Sequence, residues 1–188
     1  MLELPESIFI QNTDDISRQD YLDNERMLHL VEGYTIIELQ DNQDFKYQTL
    51  ININHSQFWD GLNALIHLIP EPLVFSFGKY DQELKTLEKE FSRENLVSKL
   101  SKLANKISSN IEIEMSFQSI SELSLVQLYV SDCKTFELYH SNKELIDKCM
   151  SDLGLTIIKD LATVEEFPRT ILGKPEDSAL LLDKLDSI

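Results

Sequence analysis

Two hydrophobic periods alternate along this chain, one of two residues and one of three to four, with short polar connections between them. After an extended entry over residues 4–10, the segment 14–31 sets Ile16, Met27, Leu28, Leu30 and Val31 around a polar middle and reads as a loop or a short helix. Residues 34–39 and 45–53 read as strands joined by the hairpin connection Asp41-Asn42-Gln43-Asp44. In the second strand Phe45, Tyr47, Thr49, Ile51 and Ile53 fall on one face, and Lys46, Gln48, Leu50 and Asn52 on the other. Asn54, with Gln57 three residues on, is placed to cap a helix in which Phe58, Leu62, Leu65, Ile66 and Ile69 recur at helical spacing until Pro70 stops it. Leu73 to Phe77 then reads as a short strand closed by Gly78.

The spacing over 81–107 predicts two helices. Leu84, Leu87 and Phe91 form one stripe, Leu96, Val97, Leu100, Leu103, Ala104 and Ile107 form another, and Ser92 stands as an N-cap at the bend between them. Ile111, Ile113, Met115 and Phe117 alternate with Glu112, Glu114, Ser116 and Gln118 as a strand with one wet face. Residues 123–130 and 135–139 continue the period, which predicts a three-stranded antiparallel meander. Ser141 and Glu144 have capping-box spacing for a helix that ends near Gly154, residues 155–158 read as a last strand, Thr163 and Glu166 repeat the box, and Pro175 opens a terminal helix. Without a regular βαβ period the expected class is α+β: a single domain over 1–188, mostly antiparallel sheet with helices packed on it, with two sub-halves at 1–108 and 109–188 as the finer division.

Charge changes this picture more than composition does. At 188 residues and 42% hydrophobic content the chain can build one substantial core. Its formal charge of -16 is unevenly spread: residues 1–50 carry eleven acids against three bases, 51–110 seven against seven, and 111–188 fifteen against seven. The densest cluster is Asp14, Asp15, Asp20, Asp23 and Glu25, broken only by Arg18. Such a surface repels nucleic acid and anionic membrane and attracts a basic partner at long range. The most nearly apolar run, Leu62 to Ile69, is far too short for a membrane-spanning helix. The N-terminus lacks the basic start and apolar stretch of a secretory signal, so the cytoplasm is the expected compartment, with Cys133 and Cys149 as free thiols.

No motif assigns catalysis, a cofactor or a metal. The histidines His29, His55, His67 and His140 form no HxxxH, HExxH or HxH set, and the five glycines build neither a phosphate loop nor a dinucleotide turn. Cys149, one turn past Leu145 and Ile146, sits where a helix buries a structural cysteine, and Ser76 before Gly78 lacks the first glycine of a nucleophile elbow. The acidic cluster lacks the glycine and alternate spacing of a calcium loop. Small, acidic, α+β, single-domain and without an active-site motif, the chain resembles bacterial immunity proteins. That resemblance implies a cytoplasmic, stoichiometric complex with a cognate toxin domain whose own site is basic. The expected interface is Asp14, Asp15, Asp20, Asp23 and Glu25, with Tyr21 as its aromatic anchor and Trp59 as a weaker one on a helix that faces the core. The alternative is a small-ligand or enzymatic module whose site is assembled from residues distant in sequence.

Overall fold

The computed structural model describes residues 2–10, 26–40, 42, 44–80, 82–119, 125–167, 169–171 and 175–188. The acidic segment 14–25 and residues 120–124, which include the start of the strand expected over 123–130, lie outside the described residues. The strands are β1 (Ile8–Ile10), β2 (Gly33–Glu38), β3 (Tyr47–Asn52), β4 (Leu73–Lys79), β5 (Lys85–Thr86), β6 (Ile113–Ser119), β7 (Gln127–Val130), β8 (Phe136–His140) and β9 (Arg169–Ile171). Seven of them form one antiparallel sheet in the order β2-β3-β8-β7-β6-β4-β5, and β1 pairs with β9 in a separate ribbon. The expected meander is β6-β7-β8 at the centre of this sheet. Strands from both ends of the sequence interleave, since β3 pairs with β8 and β4 with β6. The α+β class, a single domain of antiparallel sheet with packed helices, is what the structure shows.

The helices are α1 (Phe58–Ile66), α2 (Arg93–Ser101), α3 (Ala104–Ser109), α4 (Lys143–Asp152) and α5 (Pro175–Asp186). All five enter one core: Phe58 and Leu62 from α1, Leu96 and Leu100 from α2, Ile107 from α3, Ile146 and Met150 from α4, Leu181 and Leu185 from α5. They meet the sheet side chains Ile51, Phe75, Phe117, Leu128, Phe136 and Leu138, all fully buried. Because side chains alternate across a strand, these inward positions place every second residue on the opposite face. On that face Ile37, Leu50, Val74, Tyr129 and Tyr139 belong to no hydrophobic cluster, so no described helix covers it. A second, smaller core of Leu2, Ile8, Leu30, Ile111, Cys133, Ala162, Val164 and Phe167 closes the end of the sheet where β7 turns into β8.

The structure corrects four local expectations. Residues 82–91 do not form the helix expected from Asp81 onward: Lys85 and Thr86 pair with Phe77 and Ser76, Leu87 N–H donates to the Phe75 carbonyl at 3.0 Å, and Leu73 and Phe91 exchange two backbone bonds of 2.9 Å. The physical reason is that Leu87 and Phe91 are four residues apart, a separation that satisfies a strand face as well as a helix face, and the edge of β4 supplies hydrogen-bond partners that a free helix lacks. Ser92 caps α2 as expected, accepting from Asn95 N–H. The Asn54 side chain does not cap α1 but accepts from Glu3 N–H at 2.8 Å, and the helix begins later, at Phe58. For α4 the cap is Asn142 rather than Ser141, its side chain accepting from Leu145 N–H. Residues 155–158 contribute one parallel bridge, Tyr34 to Ile157, rather than a strand.

Gly154 follows α4 with φ of 72°, the left-handed conformation expected of a helix terminator, and Leu155 N–H returns to the Met150 carbonyl at 2.9 Å. Gly33 opens β2 with φ of 153°, and a Cβ there would stand 2.8 Å from the Thr156 carbonyl, so glycine is what lets residues 156–158 lie against β2. The sidedness of the sheet gives a direct stability test. Phe136, stacked on Phe58 at 5.1 Å and fully buried, should lose about 4 kcal/mol on replacement by alanine, whereas Ile37→Ala, at a position 43% exposed on the other face, should cost less than about 1 kcal/mol by urea denaturation.

Candidate functional site

The uncovered face carries a network of tyrosines, carboxylates and amides. Gln48 stands opposite Tyr139, Tyr129 opposite Glu137, and Ser116 opposite Tyr129, so the group crosses four adjacent strands without a break. Gln48 Nε2 donates to Glu137 Oε2 and to the Tyr139 hydroxyl, both at 3.0 Å, and Tyr139 donates to the same Glu137 oxygen at 2.8 Å. Phe45 lies against the Tyr139 ring with centroids 5.5 Å apart. Burial, together with the hydrogen bond to Glu137 and its charge, pushes the Tyr139 phenol up to about 12. Burial pushes Tyr129 higher still, assisted by its hydrogen bond to Glu114. Both phenols are therefore neutral donors at ordinary pH, each orienting a carboxylate on the sheet surface.

One end of this face is strongly acidic because of how the β7–β8 turn is built. Ser131 and Thr135 bracket the turn, and Lys134 takes a left-handed φ of 69° to complete it, with its N–H on the Ser131 carbonyl at 3.1 Å. The hydroxyls of Ser131 and Thr135 both donate to Glu165, the second at 2.9 Å, which draws the short 3-10 turn Val164–Glu166 onto the end of the sheet. Lys134 folds inward, 6% exposed, and its ammonium donates to the Ile113 carbonyl at 2.9 Å. Burial pushes this amine down to about 8, opposed by the charges of Asp132, Cys133, Glu114 and Glu165. The result is a carboxylate cluster with its counter-ion held beneath it.

Asp132, Cys133 and Glu165 bring ligand atoms within 4.8 Å of one another, a donor set able to hold a metal ion. Both Glu165 oxygens, however, already accept hydroxyl protons, and the buried ammonium beside them supplies positive charge to the same carboxylates. Lys134 itself borders a void of about 10 Å³ lined by Leu2, Pro5, Phe58 and Val164, room for about one water and no substrate. The other chemical candidates are accounted for locally. Burial pushes the Cys149 thiol up to about 11, away from nucleophilic character. His67 Nδ1 bonds the Asn63 carbonyl at 2.7 Å, and Ser76 shares a 2.9 Å hydrogen bond with Thr86 on the sheet surface. Cys133 and Cys149 are buried and not joined in a disulfide, and Trp59 packs against the core as the sequence suggested.

Asp14, Asp15, Asp20, Tyr21, Asp23 and Glu25 lie outside the described residues, but the chain on either side of them is fixed. Ile10, at the end of β1, packs on the second core. Arg26 is clamped by Glu166 through two hydrogen bonds, Nε to Oε2 at 2.7 Å and Nη2 to Oε1 at 2.9 Å, and also donates to the carbonyls of Asp160 and Leu161. Thr163 N–H donates to Glu166 at 2.8 Å, the expected reciprocal half of the capping spacing. Arg26 is thereby held next to Glu165, and Ile10 packs on the core that Val164 and Phe167 share. The sequence places Glu114 on the wet face of its strand but gives no site role to Tyr129, Glu137, Tyr139 or Lys134. The signal for three of them was present: alternation in Gln127–Val130 and Phe136–His140 sets Tyr129, Glu137 and Tyr139 on the wet side.

No protein-family model, curated protein or solved structure matches this chain.

Among the described residues no helix is long and apolar enough to cross a membrane. The buried lysine makes a pH prediction. Its folded value of about 8 lies below the ordinary 10.5, so between these pH values the unfolded chain holds a proton that the folded chain has released, and stability from this group rises with pH, being lost as pH falls through 8. Relative to Lys134→Met, the wild type should therefore gain about 3 kcal/mol of unfolding free energy between pH 8 and 10.5. Parallel stability curves for the two proteins in urea would contradict this placement of the ammonium.

Proposed function

We propose that this chain is an acidic binding protein that neutralises a basic protein partner, acting in the cytoplasm as an immunity protein that occludes a cognate bacterial toxin domain. The observation that carries the reading is the two-sidedness of the sheet: five helices crowd one face, and the other offers Tyr129, Tyr139, Glu114 and Glu137 uncovered by any described helix. Tyrosine presents a large, rigid contact with a polar tip, the side-chain character that anchors many protein interfaces. Carboxylates around it raise the encounter rate with a basic surface and disfavour other partners. A formal charge of -16 adds long-range attraction. Asp14, Asp15, Asp20, Tyr21, Asp23 and Glu25 extend this surface in the proposal, because Arg26, which follows them in the chain, is held by Glu166 next to Glu165. No catalytic role, cofactor or metal enters the reading.

The test is capture from lysate of the source organism at low salt, followed by kinetics with the purified partner. A single basic protein retained stoichiometrically is expected. The double variant Glu114→Gln/Glu137→Gln should slow its association about 5-fold at low ionic strength and flatten the salt dependence, with thermal stability near wild type. Unchanged association in that variant, alongside a large loss when Asp14, Asp15, Asp20 and Asp23 are all replaced by Asn, would move the interface off the sheet. Absence of any protein partner would contradict the binding reading itself. It would favour the second reading, a small-ligand module, for which the structure offers a cleft of about 410 Å³ bordered by Lys106, Ser109, Asn110, Glu112 and Asp177 between α3 and α5.

A further inference from the structure

The open face also distinguishes between the two basic side chains a partner can offer. Glu137 receives both of its internal hydrogen bonds, from Gln48 and Tyr139, on Oε2, which fixes the plane of the carboxylate while Oε1 takes neither bond. Tyr129 stands directly across the strand pair from Glu137, and Tyr139 stands two residues along the same strand on the same side. Cross-strand neighbours of this kind lie about 5 Å apart, so the oriented carboxylate is flanked by two phenol rings. The second carboxylate, Glu114, is held by Tyr129 from the other direction. Both rings remain neutral, which keeps their faces attractive to a cation.

We infer that this face is a docking surface for arginine side chains of a basic protein partner, a guanidinium lying against Tyr129 or Tyr139 and donating to Oε1 of Glu137. The inference rests on the proposed binding function and names the chemistry that the partner must present. A guanidinium is planar, weakly hydrated and able to donate two parallel hydrogen bonds while stacking on an aromatic ring. A lysine ammonium carries the same charge but is a strongly hydrated point donor, so it meets the charge of the face and neither the plane of Glu137 nor the rings. Charge complementarity selects a cation, and the tyrosine–carboxylate pairing selects arginine among cations.

The experiment titrates the full chain with two hexapeptides of equal charge, one containing three arginines and the other three lysines, and follows the amide resonances of β6, β7 and β8 and the side-chain amides of Gln48 and Gln127. The arginine peptide should bind this face about 10-fold more tightly than the lysine peptide. That preference should fall to less than about 3-fold in Glu137→Gln and in Tyr139→Phe, the second variant keeping the fold if the first does not, while Glu94→Gln on the opposite side, in α2, leaves it intact. Equal binding of the two peptides at this face, or an arginine preference unmoved in both variants, would overturn the inference and leave the acidic binding protein acting through charge alone. If neither peptide shifts the open-face resonances, the inference falls together with the proposed docking surface.

Discussion

Alternation of side chains across the central strands is the constraint on which everything else in this molecule depends. Phe75, Phe117, Leu128, Phe136 and Leu138 point to one side of β4, β6, β7 and β8 and are fully buried there. Phe75 stacks on Phe117 at 5.0 Å and on Phe77 at 5.6 Å, and Phe58 of α1 closes on Phe136. Each large buried side chain removed from water contributes on the order of 2 kcal/mol, so five helices are drawn to this side. The period of two then leaves Ser116, Tyr129, Glu137 and Tyr139 facing away from the helices.

The end of that outward face is organised by polar rather than apolar contacts. Glu165 binds two hydroxyls across the β7–β8 turn, Arg26 binds Glu166 next door, and Lys134 places an ammonium under the carboxylates. The arrangement is self-consistent because Glu165, Glu166, Arg26 and Lys134 each have hydrogen-bond partners, the condition under which such groups are tolerated inside a fold. It also brings an acidic surface, a fixed turn and Arg26 to one corner of the molecule. A binding surface benefits from that rigidity, since less freedom is lost when the partner docks.

Much of the sheet was legible in the sequence, and the candidate site only in part. Tyr47 to Ile53 and Ile111 to Phe117 alternate so regularly that their buried faces follow directly, and Phe58 to Ile69 has one helical stripe that the structure buries as read; Phe45, read onto the buried face, instead lies against Tyr139 on the open one because β3 begins only at Tyr47. Leu84, Leu87 and Phe91 misled because their spacing suits two geometries, and only the unpaired edge of β4 decides between them. The polar site was harder to see because its members come from separated segments: Gln48 from β3, Glu114 from β6, Tyr129 and Glu137 from β7 and β8, and Glu165 from the turn after α4. Clustering of charge along the chain pointed to residues 14–25, while clustering in space depends on strand order, which no local pattern encodes. Lys134 is the sharpest case, a lysine in a polar turn sequence whose burial follows from a left-handed backbone and a carbonyl contributed by β6.

The central claim is that the sheet face opposite the five described helices is where a partner sits, and carbodiimide labelling of carboxylates in the purified complex tests it most directly. Glu114 and Glu137 should lose several-fold of their labelling when the partner is bound, while Glu94 and Glu144, exposed on α2 and α4, should label as in the free protein. Protection of Glu94 and Glu144 with Glu114 and Glu137 unchanged would place the partner on the helical side and contradict the account.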